Sequence, residues 1–170
     1  MIIELSSLDD NPRPVDLTIA GEEIDLDVEG AKVVGQVTAR GEVAKRIAQT
    51  DIRGHIDATT VMDCVRCLQP VERPVSVDFE VAYVDPEHFA ADKEKEVAAD
   101  DLETDVLESD TLDLKDVVRE QILLDLPIQV FCSEDCKGLC EKCGGNLNLV
   151  TCNCQDDEVD PRWSALKNLK

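Results

Sequence analysis

Eight cysteines carry most of the chemistry that this sequence offers. They fall in four closely spaced pairs, and a short loop between paired cysteines can point two sulfur atoms at one ion. Two such loops complete four thiolate ligands, which is the tetrahedral set that zinc prefers. The spacing therefore predicts two zinc ions and eight metal ligands: Cys64, Cys67, Cys132, Cys136, Cys140, Cys143, Cys152 and Cys154.

The spacing also predicts how the cysteines divide between the two ions. The run Cys140-Glu-Lys-Cys143-Gly-Gly has the form of a zinc knuckle, in which glycines let amide N–H groups face the sulfur atoms. Cys152 and Cys154 follow closely and complete a local site. The two predicted sites are Cys140/Cys143/Cys152/Cys154 and Cys64/Cys67/Cys132/Cys136, and the second would clamp two distant parts of the chain together.

Three other readings of the cysteines are open at this point. All eight could be unliganded thiols, although the paired spacing argues against this. Cys64 and Cys67 could form a thioredoxin-like dithiol, but no βαβ pattern accompanies them. Four thiolates can also hold an iron–sulfur cluster, and the knuckle form favours zinc over such a cluster.

Outside the cysteines, we find no catalytic residues and no cofactor-binding motif. The sequence has no Gly-rich phosphate loop, nucleophile elbow or HExxH motif. The two histidines are His55, on a predicted strand, and His88, in an acidic stretch. Zinc sites made of four thiolates leave no open position for a substrate water. We therefore expect a binding protein and not an enzyme.

A β-rich core is predicted over residues 1–84, and it contains Cys64 and Cys67. Alternation of apolar and polar residues indicates half-buried strands, and the short connections favour an antiparallel sheet or a partly open barrel. The predicted strands are Met1–Leu5, Val15–Ile19, Lys32–Arg40, Ile52–Ala58 and Val75–Tyr83.

Residues 85–113 are expected to form an acidic linker or long loop. They contain twelve acidic residues, two lysines and no glycine. Like charges at this density repel one another and keep a segment solvated. A partner-binding acidic arm is the alternative interpretation of the same stretch.

Residues 114–170 are expected to form a helix and a zinc-binding segment that pack on the core, which makes the fold class α+β. Leu114–Leu126 has one apolar face, Asp113 is suited to cap its start and Pro127 ends it. A short final helix is predicted with Asp160 as its cap. The apolar side of that final helix would consist of Trp163, Leu166 and Leu169.

The charge balance bears on the class of partner. The chain has 17 basic and 38 acidic residues, for a formal net charge of −21. A surface this negative repels phosphate, so direct RNA contact is disfavoured and a basic protein partner is favoured. No stretch has the form of a signal peptide or a membrane span, so we expect a cytoplasmic location with reduced thiols and no membrane partner.

Five motifs follow one another along the chain: Cys64-Val-Arg-Cys67-Leu68, Leu126-Pro127, Cys132 to Asn148, Cys152-Asn-Cys154 and Asp160-Pro161-Arg162. Together they resemble the YceD family, the bacterial and plastid proteins called large ribosomal RNA subunit accumulation proteins. The likeness is specific from Leu126 to Leu169, and before Asp63 only the β-rich character agrees. Glu141 and Trp163 stand where many relatives have Pro and Leu.

The resemblance implies a role in the synthesis, processing or stability of large-subunit ribosomal RNA. It also implies that the site with Cys64 and Cys67 is the more fundamental of the two sites for the fold, because some relatives lack the equivalents of Cys140 to Cys154. We expect a non-enzymatic factor for ribosome assembly whose acidic, zinc-stapled surface binds a basic ribosomal protein or a large-subunit assembly intermediate. The alternative is a direct RNA-binding zinc-knuckle protein. A thiol oxidoreductase or a nuclease is the least favoured reading.

Overall fold

The computed structural model describes residues 1–8, 11–47, 49–84, 104–106 and 109–154. Within these residues the antiparallel, β-rich fold with one long helix is confirmed. The strands are β1 (Ile2–Glu4), β2 (Arg13–Ala20), β3 (Ala31–Lys45), β4 (Gln49–Asp63), β5 (Pro70–Val84), β6 (Thr104–Val106) and β7 (Thr111–Asp113). The α-helix is α1 (Leu114–Asp125), and short 3₁₀ turns occupy Leu5–Ser7 and Gly21–Glu23.

The main sheet has the strand order β2-β3-β4-β5-β6. Strands β2 to β5 form an antiparallel meander, in which Ala39 pairs with Ile56 and Ile56 pairs with Val77. β6 pairs in parallel with β5, whereas the sequence predicted only antiparallel pairing. Two parallel neighbours need a long connection between them, and nineteen residues, 85–103, separate β5 from β6 in the chain. No pairing within the described residues joins β2 to β6, so the sheet is open and not a closed barrel.

The sheet has one apolar and one polar face, as the period of two predicts. Val37, Ile56 and Val75 are buried on the apolar face, where they belong to one core cluster. Asp57 and Asp78 are exposed on the other face. Burial of one such apolar side chain contributes about 1.5–3 kcal/mol, so a register slip of one residue would be costly.

Helix α1 covers the apolar face of the sheet and begins at the predicted residue. Its N-cap is Asp113, whose carboxylate accepts a hydrogen bond from the main-chain N–H of Lys115 at 3.0 Å. This bond satisfies one of the amide groups left unpaired at a helix start. Val118 and Ile122 of the helix pack into the same cluster as Ile56.

A second core cluster lies at the start of the helix. β1 and β7 form a separate two-stranded antiparallel sheet, in which Ile3 pairs with Leu112. Leu114 and Val117 of α1 belong to the same buried cluster as these two residues. The helix therefore joins the small sheet to the apolar face of the large one.

Part of the predicted acidic linker is structured, because β6 and β7 both belong to residues 85–113. Residues 85–103 and 107–108 lie outside the described residues, as does the predicted final helix after Asp160. The division of the chain into three parts stays a prediction. In the part of the chain that the structure describes, no helix has the length and apolar character needed to span a membrane.

The cysteine pairs gather at one end of the main sheet. Cys64 and Cys67 lie in the connection between β4 and β5. The chain after α1 returns to this connection, where the main-chain N–H of Val65 donates to the carbonyl oxygen of Val130 at 3.0 Å. The hairpin and the segment after the helix therefore meet where the metal ligands were predicted.

Candidate metal centres

The first set of cysteines, Cys64/Cys67/Cys132/Cys136, is called the buried site here, and its four sulfur atoms lie within 4.8 Å of one another. The Sγ atoms of Cys64 and Cys136 are 3.8 Å apart, and those of Cys67 and Cys132 are 3.5 Å apart. Cys64, Cys67 and Cys136 are 0%, 2% and 4% exposed. Only Cys132 of this set is exposed.

A tight turn presents the two sulfur atoms of the β4–β5 connection. The N–H of Leu68 donates to the carbonyl oxygen of Cys64 at 2.9 Å, and Leu68 adopts a left-handed φ of 57°. Arg66, between the two cysteines, donates from Nη1 to the carbonyl oxygen of Cys136 at 3.0 Å and stacks over the Phe131 ring at 4.7 Å. These contacts hold the segment after the helix against the hairpin.

Hydrogen bonds around the buried site favour a thiolate at two positions, because the pKa values of Cys64 and Cys136 are both lowered. Burial raises the pKa of the Cys64 thiol, but hydrogen bonds from main-chain groups of Cys132, Arg66 and Cys67 outweigh burial and lower that pKa to about 6. A main-chain hydrogen bond from Gln69 favours the Cys67 thiolate, but burial and the neighbouring sulfur atoms raise the pKa of Cys67 to about 12. Four sulfur atoms this close cannot all ionise without a cation between them.

The second set, Cys140/Cys143/Cys152/Cys154, is called the exposed site here, and its sulfur atoms also lie within 4.8 Å of one another. The Sγ of Cys152 is 3.3 Å from that of Cys140 and 3.6 Å from that of Cys143. Cys143 and Cys154 are exposed, whereas Cys140 and Cys152 are half-buried. The structure thus brings the eight cysteines together in the two predicted sets.

The knuckle turn of the exposed site has the predicted glycine geometry. The N–H of Gly144 donates to the carbonyl oxygen of Cys140 at 2.8 Å, and Gly144 has a left-handed φ of 68°. Hydrogen bonds from main-chain groups of Cys143 and Lys142 lower the pKa of Cys140 to about 6. The sulfur atoms of Cys152 and Cys143 raise the pKa of Cys154 to about 12.

The distances in both sets are compatible with a single tetrahedral ion such as zinc. Zinc–thiolate bonds of about 2.3 Å place the sulfur atoms of a tetrahedron about 3.8 Å apart. The four sulfur–sulfur contacts given above run from 3.3 to 3.8 Å, and every other pair in each set lies within 4.8 Å. All four contacts are far longer than the roughly 2.05 Å of a disulfide bond. The donors themselves, four thiolates to each set, match a structural zinc site.

Asn148 connects the two sites, which sequence reasoning missed. It lies in the loop of the exposed site, but its Nδ2 donates to the Sγ of Cys136 in the buried site at 3.3 Å. Its Oδ1 accepts from the main-chain N–H of Lys137 at 2.9 Å, which fixes the amide orientation. Nothing in the spacing of the cysteines predicts this contact, because it depends on how the loop folds back.

The polar face of the sheet carries a hydrogen-bonded network around His55. Its Nδ1 lies 2.7 Å from Oδ1 of Asp78, and its Nε2 lies 3.2 Å from Oγ of Ser76. The side chains of Asp78 and Asp57 raise the pKa of His55 by hydrogen bonding to its charged form. The order Ser76, His55, Asp78 is that of a catalytic triad, and the three residues lie on the neighbouring strands β4 and β5. His88 lies outside the described residues.

Comparison with known proteins assigns the chain to a family. The family model described as large ribosomal RNA subunit accumulation protein YceD matches residues 52–170, which include all eight cysteines. No solved structure matches the chain.

Three relatives illustrate the match. An uncharacterized protein of Mycobacterium tuberculosis is 30% identical over 68% of this chain and 53% of its own length. A maize protein named large ribosomal RNA subunit accumulation protein YCED homolog 1, chloroplastic, is 28% identical over 92% of this chain and 60% of its own length. The uncharacterized protein YlbN of Bacillus subtilis is 28% identical over 80% of this chain and 75% of its own length.

The chain spans about half the length of the first curated relatives that it matches. The match nevertheless runs through the β4–β5 hairpin, helix α1 and both cysteine sets. The chain belongs to the YceD family of large ribosomal RNA subunit accumulation proteins.

Proposed function

We propose that this chain is a non-enzymatic factor that supports accumulation of large-subunit ribosomal RNA and takes part in ribosome assembly. The observation that carries the proposal is the family match over residues 52–170, the region that builds both metal sites. The maize relative is named for large ribosomal RNA subunit accumulation, and we extend that role to this chain.

The proposal includes one zinc ion in each site. The sulfur atoms of each set lie within 4.8 Å of one another, which suits a single ion. An iron–sulfur cluster spreads its four thiolates over two or more iron atoms and needs them further apart. Four thiolates close the coordination sphere of zinc, so both ions would be structural and neither would activate water. This chemistry supports a binding role over a catalytic one.

Metal analysis tests this part of the proposal. Purified protein should carry two zinc ions per chain by mass spectrometry of the metal content. The double variant Cys140→Ser with Cys143→Ser should carry one, because it removes two ligands of the exposed site only. Iron in the purified protein, or a visible cluster absorption after anaerobic preparation, would contradict the assignment to zinc.

The proposed partner is a basic ribosomal protein or a large-subunit assembly intermediate that contains one. The net charge of −21 attracts a basic partner and speeds its encounter, whereas it repels the phosphates of RNA. Thiolate ligands must stay reduced, so the proposal also places the protein in the cytoplasm.

A depletion experiment tests the assembly role. Cells that lack the protein should show fewer large subunits on a sucrose gradient and less large-subunit RNA, with small subunits unchanged. Wild-type protein should restore the profile, and Cys64→Ser should not. Ser133→Ala, an exposed position between two ligands, is the matched control and should restore it fully. An unchanged profile after complete depletion would contradict the proposal.

Filter binding distinguishes the proposed mode from direct RNA binding. The acidic surface predicts no retention of large-subunit RNA fragments by the purified protein, even at low salt. Tight retention that weakens steeply with salt would favour the RNA-binding alternative, in which the zinc knuckle contacts single-stranded RNA.

A further inference from the structure

An apolar groove lies beside the buried site, at the end of the main sheet where β4 stops. It has a volume of about 330 Å³ and lies between the turn before β3, the end of β4 and the chain after α1. Three large apolar side chains that line it are exposed: Val28 at 43%, Val65 at 49% and Ile128 at 98%. We call it the end groove.

The end groove has the form of a surface that another segment covers. Scattered single apolar residues are ordinary on a protein surface, but here exposed residues from three separate parts of the chain line one concave space. The groove also includes the acidic residues Glu29 and Asp63. An apolar segment with positive charge would therefore suit it.

The chain contains two long stretches outside the described residues, 85–103 and 155–170, and in the second the acidic residues all lie in the first six positions, where four of them stand. Residues 85–103 contain eight acidic residues and two lysines, so Glu29 and Asp63 would repel them. Residues 161–170 contain three basic residues and no acidic one. They also contain three large apolar residues at a spacing that places them on one side of a helix: Trp163, Leu166 and Leu169.

The second stretch follows a part of the chain that already lies near the groove. The sulfur atom of Cys154 lies within 4.8 Å of that of Cys140. Leu139, which precedes Cys140, donates its N–H to the carbonyl oxygen of Arg66 at 3.1 Å. Val65, the residue before Arg66, lines the groove. Six residues separate Cys154 from Pro161, and an extended chain of that length spans about 20 Å.

We propose that residues 161–170 dock into the end groove of the same chain, with Trp163, Leu166 and Leu169 on its apolar surface and the basic residues beside Glu29 and Asp63. Docking would cover the groove and tie the segment after the exposed site back onto the buried site. The inference goes beyond the proposed function and does not depend on it, because it concerns contacts within one chain.

The single tryptophan of the chain, Trp163, reports directly on this docking. The experiment uses the full, zinc-loaded chain at low concentration and records Trp163 emission and its quenching by acrylamide. A synthetic peptide of residues 159–170 supplies the reference for a fully exposed tryptophan. We expect emission at shorter wavelength than the peptide and protection from acrylamide.

The variant Ile128→Asp should remove the protection and shift the emission to that of the peptide. Because Ile128 is 98% exposed, the substitution removes no described packing, and circular dichroism should show an unchanged fold. Ile47→Asp is the matched control, since Ile47 is 97% exposed in the turn between β3 and β4, at the opposite end of β4. It should leave the emission of Trp163 unchanged.

Three results would overturn the proposal. Emission of the wild-type chain equal to that of the peptide would show that the segment does not dock. Protection that persists in Ile128→Asp would place Trp163 elsewhere. Protection that disappears on dilution, with a matching change of mass by light scattering, would show that a second copy of the chain covers the groove.

Discussion

The two cysteine sites have the same ligand set but different positions in the fold. In the buried site, sulfur contacts join residues 72 and 65 positions apart in sequence, whereas those in the exposed site join residues 9 and 12 apart. Three of the four sulfur ligands are buried in the first site and none in the second. With an ion bound, the same ligand set would therefore stabilise a long-range junction in one place and a local loop in the other.

The difference in stabilisation between the two sites can be estimated from the loop-closure entropy of the unfolded chain. A link that closes about 70 residues removes more entropy from the unfolded chain than one that closes about 10, by about 2 kcal/mol. The buried site also joins the β4–β5 hairpin to the segment after α1, so losing it would open the end of the sheet. We infer that the buried site is needed for the whole fold and the exposed site for its own segment.

The largest expected effect is therefore a contrast between two serine variants. Cys64→Ser should lower the free energy of unfolding by several kcal/mol or abolish cooperative unfolding, since a structural zinc ion contributes about 10–16 kcal/mol of apparent binding free energy in small peptides. Cys154→Ser should leave the main thermal transition within a few degrees. Thermal melts followed by circular dichroism, in the presence of zinc and reductant, would measure the stability of both variants. Equal losses of stability would contradict the expected difference between the two sites.

The second prediction concerns access to the two ions. A chelator should remove one equivalent of zinc quickly and the second much more slowly, because Cys143 and Cys154 are exposed and Cys64 and Cys67 are not. A colorimetric zinc indicator would follow both phases. The fast phase should be absent from the double variant Cys140→Ser with Cys143→Ser. A single phase for wild type would show that burial does not control release.

Acid should not separate the sites in the same way. Before an ion binds, the pKa values of Cys64 and Cys140 are both lowered to about 6, so each site already holds a thiolate at neutral pH. A depressed pKa means that the contribution to stability is present at higher pH and lost on the acid side. Protons compete with a bound ion for the thiolates, and the two sites have the same four-thiolate ligand set, so zinc should leave both sites over the same pH range. Retention of one equivalent at a pH where the other has been released would contradict this expectation.

A further prediction addresses the hydrogen bond from the Asn148 side chain to a sulfur atom of the buried site. Asn148→Ala removes the Nδ2 donor to Cys136 Sγ and should weaken metal binding at the buried site about tenfold or more, as loss of outer-shell partners typically does. Asn153→Ala, between two ligands of the exposed site, is the matched control. Competition between cobalt and zinc would measure the affinities. Equal affinities for the two variants at the buried site would mean that the sites are independent.

The smallest effect is expected on the polar face, away from both sites. The carboxylates of Asp78 and Asp57 raise the pKa of His55 above its ordinary value of 6.5. The stabilisation is therefore complete below pH 6.5 and is lost as the pH rises through the elevated pKa. His55→Gln should reduce stability slightly more at pH 6.5 than at alkaline pH. Urea titrations of wild type and variant would show this, and zinc content should not change.

Much of the local structure could be predicted from the residues themselves. The alternating pattern of Ile52–Ala58 and Val75–Tyr83 is a local property, and both strands form. Asp113 and Pro127 mark the ends of α1 because capping and the missing amide of proline act within a few residues. The parallel pairing of β6 could not be predicted, because it depends on a long connection whose path the local sequence does not specify.

The sequence by itself determined which cysteines can share an ion, because short loops bring paired sulfur atoms together regardless of the surrounding fold. It also determined the acidic net charge of −21, on which the proposed basic partner rests. The tertiary structure alone decided that Cys64 and Cys67 are buried and that Asn148 reaches Cys136. Burial and contacts between distant residues depend on how the hairpin, the helix and the returning chain pack, and no local spacing encodes that packing.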